Sequence, residues 1–210
     1  MKNQYYQKIR KNLIAEVSGQ KNKILEVGCA NGLTGHKLKK SGIASEVIGI
    51  EINPNAAKEA SRYLDHVVCG DIETLSLEES LLAQESFDYI IYGDVLEHLR
   101  DPWTQLVRLK SLLKTNGHII ISLPNIRYWS VLAPLLFKGD WHYTDAGILD
   151  RTHLRFFTKK TAIELCQQAG FTRITCKASI NRRLDQYFNT LSFGFIEEFV
   201  SPQWTLICKN

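Results

Sequence analysis

No two of the five cysteines in this 210-residue chain (Cys29, Cys69, Cys166, Cys176, Cys208) stand at C-x-x-C spacing. Their odd number and apolar surroundings point to reduced, buried thiols, so neither a disulfide framework nor a metal-ligand set is expected. Long apolar runs are missing too. The longest, Val131 to Phe137, is interrupted by Pro134, and a bilayer span needs about 20 residues. Met1 to Arg10 is polar and aromatic rather than a signal peptide, which leads to the expectation of a cytoplasmic protein without stable membrane insertion. Basic runs never exceed two residues (Lys39-Lys40, Lys159-Lys160, Arg182-Arg183), and the charge balance is only 26 − 22 = +4. A nucleic-acid binder would cluster that charge in a stripe, so none is expected as a partner. The hydrophobic share of 44% and charged share of 23% exclude disordered and fibrous classes. The length suits one domain, spanning residues 1–210.

What is present is an alternation of short β-branched runs with helical patterns, the signature of a parallel sheet with crossover helices. The predicted strands are Lys23–Val27, Glu46–Ile50, His66–Cys69, Phe87–Tyr92, His118–Leu123, Arg173–Lys177 and Trp204–Cys208. Asn53-Pro54 and Asp101-Pro102 each pair an N-cap with proline at the first helical position. Leu106, Leu109, Leu112 and Leu113 predict a helix closing at Gly117 as its C′ glycine. A further helix is predicted from Thr158 to Ala169, stopping at Gly170. Residues 1–20 read as an amphipathic helix through Tyr6, Ile9, Leu13, Ile14 and Val17. Residues 124–157, rich in Trp, Tyr, His, Arg and Asp, form a connection long enough to be functional. They are expected to act as a substrate lid.

Gly28-Cys29-Ala30-Asn31-Gly32 follows the first strand, and its small residues let backbone approach a ligand. Glu51 ends the second strand 51 − 28 = 23 residues after Gly28, where an acid can accept both ribose hydroxyls. Asp71, after the third strand, either receives an adenine amino group or caps a turn. Together the three predict an adenosine-containing cofactor. A dinucleotide fingerprint would need G-x-G-x-x-G; here Ala30 and Leu33 occupy the second and third glycine sites, and no P-loop is present.

Glu26-Val27-Gly28-Cys29-Ala30-Asn31-Gly32, Ile50-Glu51, Gly70-Asp71-Ile72, Phe87 to His98, and Leu113 to His118 resemble, in order, the motifs of class I S-adenosylmethionine-dependent methyltransferases. Phe87 to His98 resembles in particular the fourth-strand motif of the branch containing the ubiquinone-biosynthesis O-methyltransferases. The resemblance implies an α/β, Rossmann-like doubly wound sheet of order 3-2-1-4-5-7-6, its last strand antiparallel and helices on both faces. It also implies S-adenosyl-L-methionine as cofactor, with Gly28 to Gly32 at its methionine moiety and Glu51 at the ribose. Asp71 with Ile72 falls at the adenine, and Gly93 with Asp94 near the sulfonium. The expected cofactor contacts are therefore Glu26, Gly28, Cys29, Ala30, Asn31, Gly32, Glu51, Ile52, Asp71, Ile72, Gly93 and Asp94.

A hydroxyl or amine acceptor calls for a general base, and histidine suits neutral pH. His98, after the fourth strand, is one candidate, or a residue packing locally. Trp141 to Asp145 and Gly147 to Phe157 resemble a segment of polysaccharide-associated methyltransferases. There His153 is the first candidate to contact the acceptor, and Arg151 either anchors an anion or pairs within the lid. Functional positive charge is expected at Arg127, Arg151 and Arg155. The stretch Trp129 to Phe137 reads as lid packing, a dimer contact or a patch facing a lipid-linked substrate. The expected reaction is methyl transfer to a small-molecule acceptor, a sugar or polysaccharide precursor, by a monomer or homodimer. The alternatives are a quinone- or phenol-type O-methyltransferase, an NAD-dependent oxidoreductase, or a non-catalytic cofactor-binding protein. The stretch 178–203 is left, with the first 20 residues and the lid, to recognise substrate.

Overall fold

Runs of Val, Ile and Leu that are apolar on both faces must be covered on both faces. In the computed structural model, described for residues 7–76, 86–180 and 182–210, these runs form one seven-stranded sheet. Its strands are β1 (Asn22–Val27), β2 (Ala44–Glu51), β3 (His66–Cys69), β4 (Phe87–Gly93), β5 (Leu113–Pro124), β6 (Arg173–Ala178) and β7 (Gln203–Lys209). Their order is β3-β2-β1-β4-β5-β7-β6. The first five run parallel, while β7 is antiparallel to both β5 and β6. All seven predicted strands are present, and the order is the one expected.

Helices cover both faces. The first face carries α1 (Lys11–Ile14), α2 (Leu33–Lys40) and α3 (Pro54–Ala60), whose Leu13, Leu38 and Ala60 pack with Ile24, Val47 and Ile91 of the sheet. The second carries α4 (Pro102–Lys110) and α6 (Lys159–Gln168), whose Leu106, Leu109 and Leu165 pack with Ile90, Ile119 and Trp204. Between them in sequence lies α5 (Trp129–Lys138), and α7 (Arg183–Leu191) and α8 (Glu197–Val200) precede β7. The two proline-marked starts behave as predicted. Asn53 Oδ1 accepts the N–H groups of Asn55 at 2.9 Å and Ala56 at 3.2 Å, and Asp101 Oδ1 that of Thr104 at 3.0 Å. Thr158 and Thr161 form a reciprocal capping box at the start of α6.

Two expectations are corrected. Among the described residues of the predicted N-terminal helix, only the single turn Lys11–Ile14 is α-helical. Its backbone is spent on tertiary bonds instead, Arg10 N–H to Thr34 Oγ1 at 3.2 Å and Ser18 N–H to the Tyr89 hydroxyl at 3.2 Å; Tyr6 lies outside the described residues. The helix predicted to reach Gly117 stops at Lys110, because the Leu112 carbonyl accepts the Phe87 N–H at 2.8 Å and Leu113 pairs with Phe87. Gly117 is consequently no helix cap. A Cβ there would stand 3.0 Å from the carbonyl oxygens of Lys114 and Phe87. The Trp129 to Phe137 stretch, read as lid packing, a dimer contact or a patch facing a lipid-linked substrate, lies in helix α5; only its Val131 is buried, and Leu136 and Phe137 face solvent at 72% and 84% exposure.

The connection from 124 to 157 closes on itself. Ile126 N–H donates to Phe157 O at 3.0 Å, and Asn125 Nδ2 donates to the carbonyls of Glu198 and Ser201 at 2.7 Å each. The segment thus leaves and re-enters the sheet edge at one point. No helix among the described residues is long and apolar enough to cross a membrane.

Candidate functional site

Val27 is level with Ile50 on one side and Tyr92 on the other, and Gly93 with Ser122. The carboxyl ends of β1, β2, β4 and β5 therefore form one rim, the place where open α/β sheets bind ligands. Along it, the β1–α2 turn passes through three left-handed residues, Gly28 (φ 68°), Ala30 (φ 50°) and Gly32 (φ 75°). Gly28 is needed sterically as well, since a Cβ there would lie 2.5 Å from Val95 Cγ2. Ala30 holds a backbone conformation that costs an L-residue about 1–2 kcal/mol.

Glu51 ends β2 with its side chain turned into this turn. Oε2 accepts the Ala30 N–H at 2.9 Å and Oε1 the Asn53 N–H at 2.8 Å. Each oxygen keeps a further lone pair for a ligand diol. Ile52 beside it is 64% exposed, an apolar surface at the rim. Asp71 caps its own turn, Oδ1 accepting the Glu73 N–H at 2.9 Å, and Ile72 is buried. Asn31 is half-buried in the same turn.

Beneath the turn, Glu26 is buried and accepts the Gly35 N–H at 3.0 Å. Burial pushes its carboxyl up to about 7, opposed by the nearby Arg10 guanidinium. Burial raises the Cys29 thiol far above its ordinary value, which keeps it protonated packing against Gly49. Glu26 and Cys29 thus support the turn from below.

Arg10 is a residue that sequence reasoning missed. Its guanidinium crosses Gly93, where a Cβ would collide with it, and pairs with Asp94. Asp94 (φ 54°) also receives Ser122 Oγ at 2.7 Å and the Gln203 side-chain amide. A lone arginine in a polar N-terminal segment carries no sequence signal.

Past β4, a single 3-10 turn, Leu96–His98, places Glu97 and His98 against the returning connection. The Leu154 and Arg155 N–H groups donate to Glu97 O at 2.8 and 3.0 Å. This seats the His153 ring edge-on to His98, centroids 4.7 Å apart. The structure thus joins the two predicted histidines, and adds Glu97, whose side chain is 1% exposed. Burial, then the charge of Asp94, raises the Glu97 carboxyl well above the usual range, while burial, then His153, lowers His98. Arg151 stands apart, exposed and paired with Asp145 at 3.0 Å. Arg127 is likewise spent on Glu198, and Arg155 on the Arg100 carbonyl. Beside His153, whose Nδ1 bonds Ile148 O at 2.9 Å, an open cleft of about 270 Å³ is lined by Val131, Pro134, Ile148 and Leu149, with Ser130, Asp140, His142 and Thr144 at its polar edge.

Comparison with known proteins agrees with this fold. The chain is 26% identical over 176 residues to a ubiquinone biosynthesis O-methyltransferase of Cereibacter sphaeroides, covering 82% of this chain but only 66% of that relative. A protein of the same name from Xanthomonas euvesicatoria is 31% identical over 134 residues, 59% of this chain and 55% of its own length. Among solved structures, a SAM-dependent methyltransferase from Archaeoglobus fulgidus superposes with a TM-score of 0.69 at 19% identity, covering 100% of this chain and 95% of that one. An N-methyltransferase from Bradyrhizobium japonicum, solved with S-adenosyl-L-homocysteine, gives 0.61 at 17% identity over 99% of this chain and 86% of that one. A family model described as a methyltransferase domain matches residues 1–176, and the chain belongs to that methyltransferase family.

Proposed function

We propose that this protein transfers a methyl group from S-adenosyl-L-methionine to a hydroxyl of a small molecule. One observation carries the reading: Glu51 is held by two backbone amides at the mouth of a turn whose conformation keeps side chains out of the way. The fit to this cofactor rests on that cradle. Its carboxylate would hold the ribose diol, exposed Ile52 the adenine face, and Asp71 the adenine edge. The backbone of Gly28 to Gly32 would face the methionine moiety, and the Arg10 guanidinium, which fills the space over Gly93, would meet its carboxylate. A dinucleotide fits less well, because Leu33 stands at the site of the glycine that packs helix against strand in the dinucleotide fingerprint.

The cofactor supplies an electrophilic methyl group on a sulfonium. What falls to the chain is to orient the acceptor, exclude water and manage one proton, and positioning can contribute about 7–11 kcal/mol. The open cleft within the 124–157 connection has an apolar floor of Val131, Pro134, Ile148 and Leu149. Residues 124–157 act as the lid, with His153 and His98 facing the acceptor. Similarity to the ubiquinone biosynthesis O-methyltransferases favours a phenolic or quinol hydroxyl. The second reading, a sugar or polysaccharide precursor, rests on the 139–157 segment. We read the protein as a cytoplasmic monomer or homodimer, one domain over 1–210, without nucleic-acid partners.

Calorimetry with S-adenosylhomocysteine and with NAD, followed by transfer of labelled methyl to catechols, quinols and nucleotide sugars, tests this. Tight NAD binding without S-adenosylhomocysteine binding would overturn it.

A further inference from the structure

Helix α7 is built inside out. Its apolar residues Leu184, Tyr187, Phe188 and Leu191 recur at i, i+3, i+4 and i+7 and so share one face, yet each is between 50% and 70% exposed. The polar face points inward instead. Asp185 is buried and accepts the Tyr128 hydroxyl at 3.0 Å, and Asn189 is half-buried. The turn that follows adds Phe193 and Phe195, 92% and 89% exposed, with Phe193 at φ 53°, a conformation that bulky residues rarely adopt. At about 200 Å² per aromatic side chain, the exposed shares of Tyr187, Phe188, Phe193 and Phe195 come to about 600 Å². Leu184 and Leu191 bring the face to about 800 Å², one partner's share of a standard protein interface and more than a typical monomer leaves open.

We propose that this face is where two copies of the chain meet about a two-fold axis. Aromatics and arginine are the residue types enriched at interface cores, and lysine is depleted there. Between residues 178 and 203 the chain has five aromatics, two arginines and no lysine. Charge selects protein over lipid. Arg182 and Arg183 stand against Asp185, Glu197 and Glu198, whereas an anionic membrane surface recruits clusters of about four to eight basic residues. The carboxylates are also held already, Asp185 by Tyr128, Glu197 by Lys159 at 2.9 Å and Glu198 by Arg127. The face therefore carries little free charge to repel its own copy. A two-fold contact closes as well, covering the same face on both subunits and leaving no apolar edge to propagate. The contact reaches the rim. From this face the chain passes the Glu198 and Ser201 carbonyls, which hold Asn125, to Gln203, whose side-chain amide bonds Asp94. Pairing of two copies thus braces the wall of the rim beside Asp94.

The test is sedimentation equilibrium of the full chain from about 1 to 100 μM, with Leu191→Asp, Phe195→Asp and, as a control, Val107→Asp, an exposed apolar residue of α4 outside the face. The parent and the control are expected to dimerise, and each face variant to raise the dissociation constant at least about thirtyfold. Both altered side chains are exposed, so the variants fold, and their circular dichroism spectra match the parent's. A monomer at every concentration overturns the proposal. If that monomer floats with phosphatidylglycerol vesicles, the face belongs to a lipid surface instead. A dimer undiminished in both face variants, or one lost equally in Val107→Asp, overturns it too.

Discussion

Glu51 Oε2 accepts the backbone N–H of Ala30 at 2.9 Å, across the gap between the first two strand ends. This bond sets both the carboxylate and the turn before any ligand arrives. Glu51→Gln replaces one acceptor oxygen by a donor, so one of the two amides loses its partner. A hydrogen bond to a charged group contributes about 1.5–3 kcal/mol, so S-adenosylhomocysteine affinity falls about 10–100-fold by calorimetry. Turnover at saturating cofactor changes far less, because the ribose contacts are the same in ground and transition states.

Gly28 is tested with Val95. In Gly28→Ala the new methyl lies 2.5 Å from Val95 Cγ2 in a left-handed backbone. Overpacking and strain together cost at least about 2 kcal/mol, read as a lower denaturant midpoint. Adding Val95→Ala removes the colliding Cγ2, the other Val95 atoms being 3.8–4.0 Å away. The double variant therefore recovers the overpacking part and keeps the backbone strain. No recovery would mean that Val95 is not what the glycine avoids.

Ala30 holds φ 50° where glycine is at ease. Ala30→Gly relieves about 1–2 kcal/mol of strain and returns about 0.5–1 kcal/mol through the freer unfolded chain. The net gain of about 0.5–1 kcal/mol raises Tm by about 1–4 °C at this length. The Ala30 N–H to Glu51 survives, so cofactor affinity does not fall.

The strand ends were legible because each is a local pattern, an apolar run meeting Gly28, Glu51, Asp71 or Gly93. The end of α4 was not. Leu112 and Leu113 continue the helical period, and only the pairing of β5 with Phe87, some 25 residues earlier, draws them into the sheet. His98 and His153 were each visible as polar residues in a suitable place. Their junction depends on a backbone bond between Leu154 and Glu97, which no spacing encodes. Arg10 and Glu97 draw their significance entirely from what folds around them. Arg151, conspicuous by its neighbours in the sequence, turns outward to Asp145.

Glu26 predicts a pH dependence. Its carboxyl titrates near 7 in the folded chain against an ordinary value of 4.5, because of burial. The folded state therefore binds more protons than the unfolded state between these values. The contribution of Glu26 to stability is complete below about pH 4.5 and declines as pH rises to about 7. The change is about 3 kcal/mol at most, from 1.36 kcal/mol per pK unit. Glu26→Gln keeps an acceptor for the Gly35 N–H and abolishes this slope. Denaturant melts from pH 5 to 8 should show the variant gaining on the parent as pH rises. A constant difference would remove Glu26 as the titrating group.

Arg10 is where stability and ligand binding can be pulled apart. It pairs with Asp94, the two side chains being only 10% and 16% exposed, and it shields Gly93 from above. Arg10→Ala leaves Asp94 with Ser122 and Gln203 alone, at a cost of about 1–3 kcal/mol for the unpaired charge. It also raises KM for S-adenosylmethionine at least about tenfold, the equivalent of about 1.4 kcal/mol. Arg10→Lys keeps the charge without the guanidinium fork and falls between. Adding Asp94→Asn to Arg10→Ala removes the orphaned charge, so the denaturant midpoint recovers while KM stays high. Recovery of both would make Arg10 a structural partner of Asp94 alone; recovery of stability without KM places its guanidinium on the cofactor's carboxylate.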